Sequence, residues 1–226
     1  MDIGNIFSNS LSYPTRNIGR VLVLGVLLLL SIFIIPLFFV LGYALRTIKE
    51  STEEGTEPPA FDNLGAMFID GLKYLVVSIV YSLIPFIMMG IGITSAIASI
   101  PSYDMISSCA AYTSLIFGSG LFLVGLLLLL VIVVILNIAI ANMAHKDEFG
   151  AAFKFGEIFH LIGSIGWGKY IIWYIVVIVI TMLFSMVSAI VTLIPLLGFI
   201  LTILVVDPYL IIFSSRAIGL IYKEGI

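Results

Sequence analysis

A carboxylate inside an apolar run is the first place to look for chemistry. Asp207 lies in the run Pro195–Leu220, about 18 Å along a helix from Pro195 at 1.5 Å per residue. That depth is near the middle of a bilayer. An ionisable side chain there is costly, and it marks a proton relay, a cation ligand or a structural contact. Pro208 follows it. Asp-Pro pairs a helix N-cap with a proline at the first helical position. It predicts a helix that stops at Val206 and restarts at Pro208, with the carboxylate on the freed N–H groups. The structural and transport readings are compatible, because interrupted helices line many transport sites. Asn137 and Asn142, toward one end of the third apolar run, predict hydrogen bonds between helices. Arg216 reads as an interfacial anchor and as a candidate partner for Asp207. Asp207, Pro208, Asn137, Asn142 and Arg216 thus form the candidate intramembrane polar site.

Other chemistry finds little footing. His145 and His160 fall in a loop, which disfavours a bis-histidine haem, and a metal there would need Asp147 or Glu148. Trp167, Tyr170, Trp173 and Tyr174 cluster where a helix enters the membrane, as an aromatic belt does. The chain carries no His-Glu-x-x-His, no Gly-x-Ser-x-Gly and no phosphate-binding loop. No catalytic residue, cofactor or metal is expected. Cys109 is the single cysteine, which excludes an intrachain disulfide.

The elements that must position these residues are membrane helices. The chain is 62% hydrophobic and 10% charged, against about 25% charged for soluble domains. Only lipid can cover that much apolar surface. A net charge of −3 supplies no basic field for nucleic acid. Spanning helices need about 20 apolar residues. The runs 21–45, 72–100, 112–144, 170–194 and 195–220 qualify, giving an all-α polytopic bundle of five to six membrane segments. The run 21–45 is too long for a signal-peptide core and reads as retained.

Lys and Arg orient the bundle. Arg46, Lys49, Lys73, Lys146, Lys154, Lys169, Arg216 and Lys223 flank the acidic loop 46–60, the segment 145–169 and the C-terminus. The positive-inside rule places those in the cytoplasm of a multi-pass cell-membrane protein. Arg16 and Arg20 leave two readings for 21–45. It is one crossing kinked at Pro36, or it dips in and returns, which puts the N-terminus inside as well. The loop 101–111, with Asp104, falls on the opposite side.

A Gly-x-apolar-Phe pattern precedes three membrane segments: Gly4-Asn5-Ile6-Phe7, Gly65-Ala66-Met67-Phe68 and Gly156-Glu157-Ile158-Phe159. Either chance or a threefold repeat of interfacial helix plus hairpin accounts for it. Residues 149–165 form the clearest amphipathic stretch, with Ala152, Phe155, Phe159 and Ile162 on one face and Lys154, Glu157 and His160 on another. Such a helix lies in the headgroup plane or packs across the end of the bundle.

Several stretches follow one another along the chain: Gly42-Tyr43 with Arg46, Phe61-Asp62-Asn63, Phe68-x-Asp70-Gly71-Leu72-Lys73, Ala152–Ile158, Pro208-Tyr209 and Tyr222-Lys223-Glu224. In these the chain resembles the archaeal membrane proteins grouped as domain of unknown function DUF4013. The resemblance implies an archaeal cell-membrane protein with several helices, and no activity. The function expected is a non-enzymatic membrane scaffold or a subunit of a larger complex. The alternatives are a small permease or accessory transporter subunit using Asp207-Pro208, and lipid or curvature sensing by the interfacial helices. The partners expected are the bilayer and a protein partner or second copy.

Overall fold

The computed structural model describes residues 2–53, 55–98 and 105–226. Residues 101–104 of the expected loop 101–111, with Asp104, lie outside the described residues, as does Glu54 of the acidic loop; from Met105 on the expected loop is already α-helix. The described residues are overwhelmingly helical. In chain order the helices are α1 (Ile3–Ser12), α2 (Ile18–Leu30), α3 (Ile35–Thr52), α4 (Leu64–Ala98), α5 (Met105–Lys146), α6 (Phe155–Ile165), α7 (Trp167–Val191), α8 (Leu197–Leu201) and α9 (Asp207–Lys223). Five stretches are long and apolar enough to cross a membrane: Ile3–Phe33, Leu64–Ile97, Tyr112–Lys146, Trp167–Val191 and Leu197–Lys223. The chain is an all-α, polytopic helical membrane protein.

It divides into two compact units. Residues 77–136 form the smaller, from the C-terminal part of α4 and the N-terminal part of α5. Glycines let these helices meet at backbone distance: a Cβ on Gly92 would sit 2.7 Å from the Gly118 carbonyl oxygen, and one on Gly125 only 2.8 Å from Met89 Cγ. Small residues serve this purpose where lipid offers no hydrophobic drive. Gly120 in the same helix faces open space. Pro85 sits inside α4 without ending it.

Residues 1–76 and 137–226 form the larger unit. Its core includes Tyr13, Val21, Leu24, Val40, Tyr43, Met67 and Ile212, all under 5% exposed. The run 21–45 does not cross as one kinked helix. After α2 a short 3₁₀ turn, Ser31–Phe33, leads to Ile34 at φ 66°, and α3 then packs back against α2. Pro36 lies in the first turn of α3, where its missing N–H has no intrahelical partner to lose. The reversal is therefore made by Ile34, and the proline starts the returning helix. Arg16 donates to Thr56 O and Arg20 to Pro58 O, so the start of α2 meets the loop that follows α3.

The Gly-x-apolar-Phe stretches share a structural role. Their apolar residues Ile6, Met67 and Ile158 are each fully buried. The first and third stand in separate helices, α1 and α6, ahead of a hairpin. The second is fused into the first turn of α4. The expected face of the 149–165 stretch is rotated. Residues Phe149–Phe153 are 3₁₀, so Ala152 does not share a helix with Phe155. Within α6 the buried column is Ile158, Leu161, Ile162 and Ile165. Phe155 and Phe159 point outward, and Phe159 lies 6.3 Å from Trp167.

Candidate functional site: a charged cavity on the polar end of the larger unit

The loop between α3 and α4 is built on two contacts. The Tyr43 ring stacks on Phe61, with centroids 4.4 Å apart. Asn63 adopts φ 42°, a left-handed conformation that Asn tolerates better than most residues. From there its side-chain oxygen accepts from the Ala66 N–H at 3.3 Å, capping α4. α3 and the start of α4 come close because Gly42 faces the Met67 carbonyl and Gly71 faces Phe38; a Cβ at either would overlap backbone.

This packing lays Arg46 of α3 against the loop and α4. Its guanidinium donates to Asp62 O at 2.7 Å, Asn63 O at 3.1 Å and Asp70 Oδ2 at 3.4 Å. Lys73, one turn beyond, reaches the other Asp70 oxygen at 3.5 Å. Lys49 pairs with Asp147 at 3.2 Å, tying α3 to the segment after α5. These groups surround an open cavity of about 790 Å³. Its wall carries Arg46, Lys49 and Lys73 with Glu50, Glu53, Asp62, Asp70 and Asp147. Carboxylates outnumber cations on the wall by five to three. Apolar Leu45, Ile69 and Met143 complete the wall.

A second polar cluster sits beside it. Asn142 is fully buried, donates to Ala151 O at 3.0 Å and accepts from the Tyr222 hydroxyl at 2.9 Å. Lys146 donates to Glu157, and this contact holds the Glu157 carboxyl below its ordinary range. Lys169 pairs with Glu224 at 2.6 Å, which lowers the Glu224 carboxyl likewise. His145 accepts from or donates to Thr52 at 3.0 Å and lies 5.5 Å from the Tyr222 ring.

The five residues of the expected intramembrane site do not converge. Asp207 is half-buried in the first turn of α9 and caps nothing. The helix does not break at Val206. It widens into a π-turn over Thr202–Val206 and runs on through Asp207 in helical geometry. A π-turn absorbs the missing proline N–H without a new start, so no freed N–H groups await the carboxylate. Pro208 is buried at the start of α9. Arg216 is turned away from Asp207. It donates to Asn9 Oδ1 at 3.1 Å and Gly55 O at 2.9 Å, and its guanidinium lies 4.2 Å over the Tyr13 ring. Asn137 bonds the Tyr170 hydroxyl. Both asparagines thus join helices, but neither joins Asp207.

Sequence reasoning singled out Arg46, Asp62, Asn63, Asp70 and Lys73 only as stretches of a family resemblance, not as a site. The available signal was Asp70 and Lys73 at i, i+3 spacing at the mouth of a membrane segment, about two turns after a capping Asn.

The family model described as a protein of unknown function, DUF4013, matches residues 26–196. The chain belongs to the DUF4013 family. The matched region contains every charged residue of the cavity wall and ends before Asp207, Pro208 and Arg216. No curated protein and no solved structure matches the chain.

Proposed function

We propose that this DUF4013 protein is a non-enzymatic membrane scaffold or a subunit of a larger complex, which holds a partner at the Arg46–Asp70 cavity. One observation carries the reading. Arg46, Asp62, Asp70 and Lys73, from the stretches that carry the family resemblance, line a single open cavity, while the intramembrane polar residues stay dispersed. Each cation of the wall is already paired with a carboxylate, which suits a fixed recognition surface. The Lys and Arg distribution supports a cytoplasmic position for this surface, and the family resemblance supports an archaeal cell membrane as the setting.

The assembly is testable directly. Lipid nanodiscs cut from native membranes should hold the chain in a particle with protein mass well above its own 24.7 kDa. Asp62→Lys, at a side chain 80% exposed, should reduce that mass without loss of fold. A particle holding one chain alone contradicts the proposal.

A transport role has one observation in its favour. The π-turn before Asp207 places Thr202 Oγ1 in the protein without a hydrogen-bond partner, and Ser188 Oγ is likewise unpartnered and buried. π-turns recur at functional sites. Proton or cation flux into proteoliposomes that disappears with Asp207→Asn would favour this reading over the scaffold.

A further inference from the structure

We infer that the α2–α3 hairpin is a re-entrant wedge: its tip, Ile32–Ile35, lies among acyl chains near the bilayer midplane, and its volume is added to one leaflet only. The two ends of the hairpin are fixed in one polar layer. Arg20, at the start of α2, contacts Pro58 O and Glu57. Arg46, near the end of α3, contacts Asp62, Asn63 and Asp70. All five belong to the same short stretch of chain and the helix it enters.

Lengths decide how far the tip reaches. Ile35 to Arg46 is one α-helical stretch of about 17 Å. Arg20 to Phe33 is about 20 Å, allowing for the 3₁₀ turn. Half of a hydrocarbon core is about 15 Å and a whole one about 30 Å. Both arms therefore end near the midplane. By contrast, α7 runs about 33 Å from Lys169 to Val191, enough to cross completely.

The tip is made for that depth. Ile32, Phe33, Ile34 and Ile35 are 82, 71, 67 and 62% exposed, the most open apolar run in the larger unit outside the 193–197 turn. Several of its polar groups bond within the hairpin itself. Ser31 Oγ donates to Leu27 O at 2.8 Å, Ile34 N to Ser31 O at 2.9 Å and Leu37 N to Ile34 O at 3.0 Å. A turn facing water has no need of such closure, whereas a turn in hydrocarbon does. The positive φ of Ile34 is uncommon for a β-branched residue and is retained where a tight apolar reversal is required.

The test uses the full chain with Cys109→Ser, reconstituted in phosphatidylcholine bilayers, with a nitroxide on Phe33→Cys. Collision with oxygen, which concentrates in hydrocarbon, is compared with collision with a water-soluble nickel chelate. Leu193→Cys, 78% exposed in the turn after the fully spanning α7, serves as the far-side reference. The expected result is a high oxygen-to-chelate ratio at Phe33 and a low one at Leu193. Ile32→Cys gives a second reading of the tip. A chelate-accessible Phe33 matching Leu193 overturns the inference, because the hairpin then reaches the far surface. A label shielded from both reagents overturns it too, because protein then covers the tip.

Discussion

Arg216 should be among the most costly single residues to remove from this protein. It is 4% exposed and joins three parts of the chain that are far apart in sequence: α9, the N-terminal helix through Asn9, and the acidic loop through Gly55. Each hydrogen bond from a charged donor is worth about 1.5–3 kcal/mol, and a desolvated cation over a tyrosine face about 2 kcal/mol. The cost of burying the guanidinium offsets part of this sum. Truncation removes the donor from the half-buried Gly55 carbonyl and from Asn9 Oδ1, and so releases α1. We therefore expect Arg216→Ala to destabilise the protein by about 3 kcal/mol. Arg216→Lys should lose roughly half as much, because an ammonium keeps the charge over Tyr13 but not the planar fork. Unfolding in mixed micelles, followed by tryptophan fluorescence against the mole fraction of sodium dodecyl sulfate, measures these values. A double-mutant cycle with Tyr13→Leu isolates the ring contact, with an expected coupling of about 1–2 kcal/mol. A loss below about 1 kcal/mol for Arg216→Ala would refute the reasoning, since it would mean that the buried guanidinium only balances its own desolvation.

Three further outcomes follow from the same packing. Gly42→Ala should cost about 1–3 kcal/mol in the same unfolding measurement, because its Cβ would overlap the Met67 carbonyl, whereas Gly65→Ala, facing open space in the first turn of α4, should be neutral or gain about 0.5–1 kcal/mol. Arg46→Met should destabilise by about 1–3 kcal/mol, since the partly buried Asp70 then keeps only Lys73, and Asp70→Asn in the same chain should recover part of the loss. Glu157 and Glu224 have carboxyls held below the ordinary range by Lys146 and Lys169, so their contribution to stability is present above about pH 4.3, the unfolded value. It fades as pH falls through the lower folded values, and thermal unfolding of Glu157→Gln should show a shallower decline on acidification than the parent chain.

The helices were legible because lipid enforces them: an apolar run of this length has no other way to satisfy its backbone. The Gly-x-apolar-Phe pattern pointed to Ile6, Met67 and Ile158, which share full burial. The return of 21–45 was open in the sequence through Arg16 and Arg20, but its place was not, because Ile34 adopts a backbone conformation rare for isoleucine and no turn residue announces it. The face of α6 was misread because apolar residues stand on both sides of the helix, Phe155 and Phe159 on one and Ile158, Leu161 and Ile165 on another, and only packing decides which is buried. The π-turn before Asp207 has no sequence signature, and Asp-Pro mimics a cap that the continuing helix does not need. The cavity was the largest omission. Its wall combines residues from two helices, a loop and the segment after α5, and only the fold reveals that Lys49 meets Asp147 across nearly 100 positions.

The most direct measurement is photocrosslinking from the cavity in native membranes. A photoreactive residue at Ala60, exposed on the cavity wall, is compared with one at Leu193, in the turn after α7. The account predicts a discrete higher-mass product from Ala60 that is absent from Leu193 and weakened by Asp62→Lys. Crosslinks from Ala60 to lipid alone, with mass unchanged, would contradict a partner at this cavity.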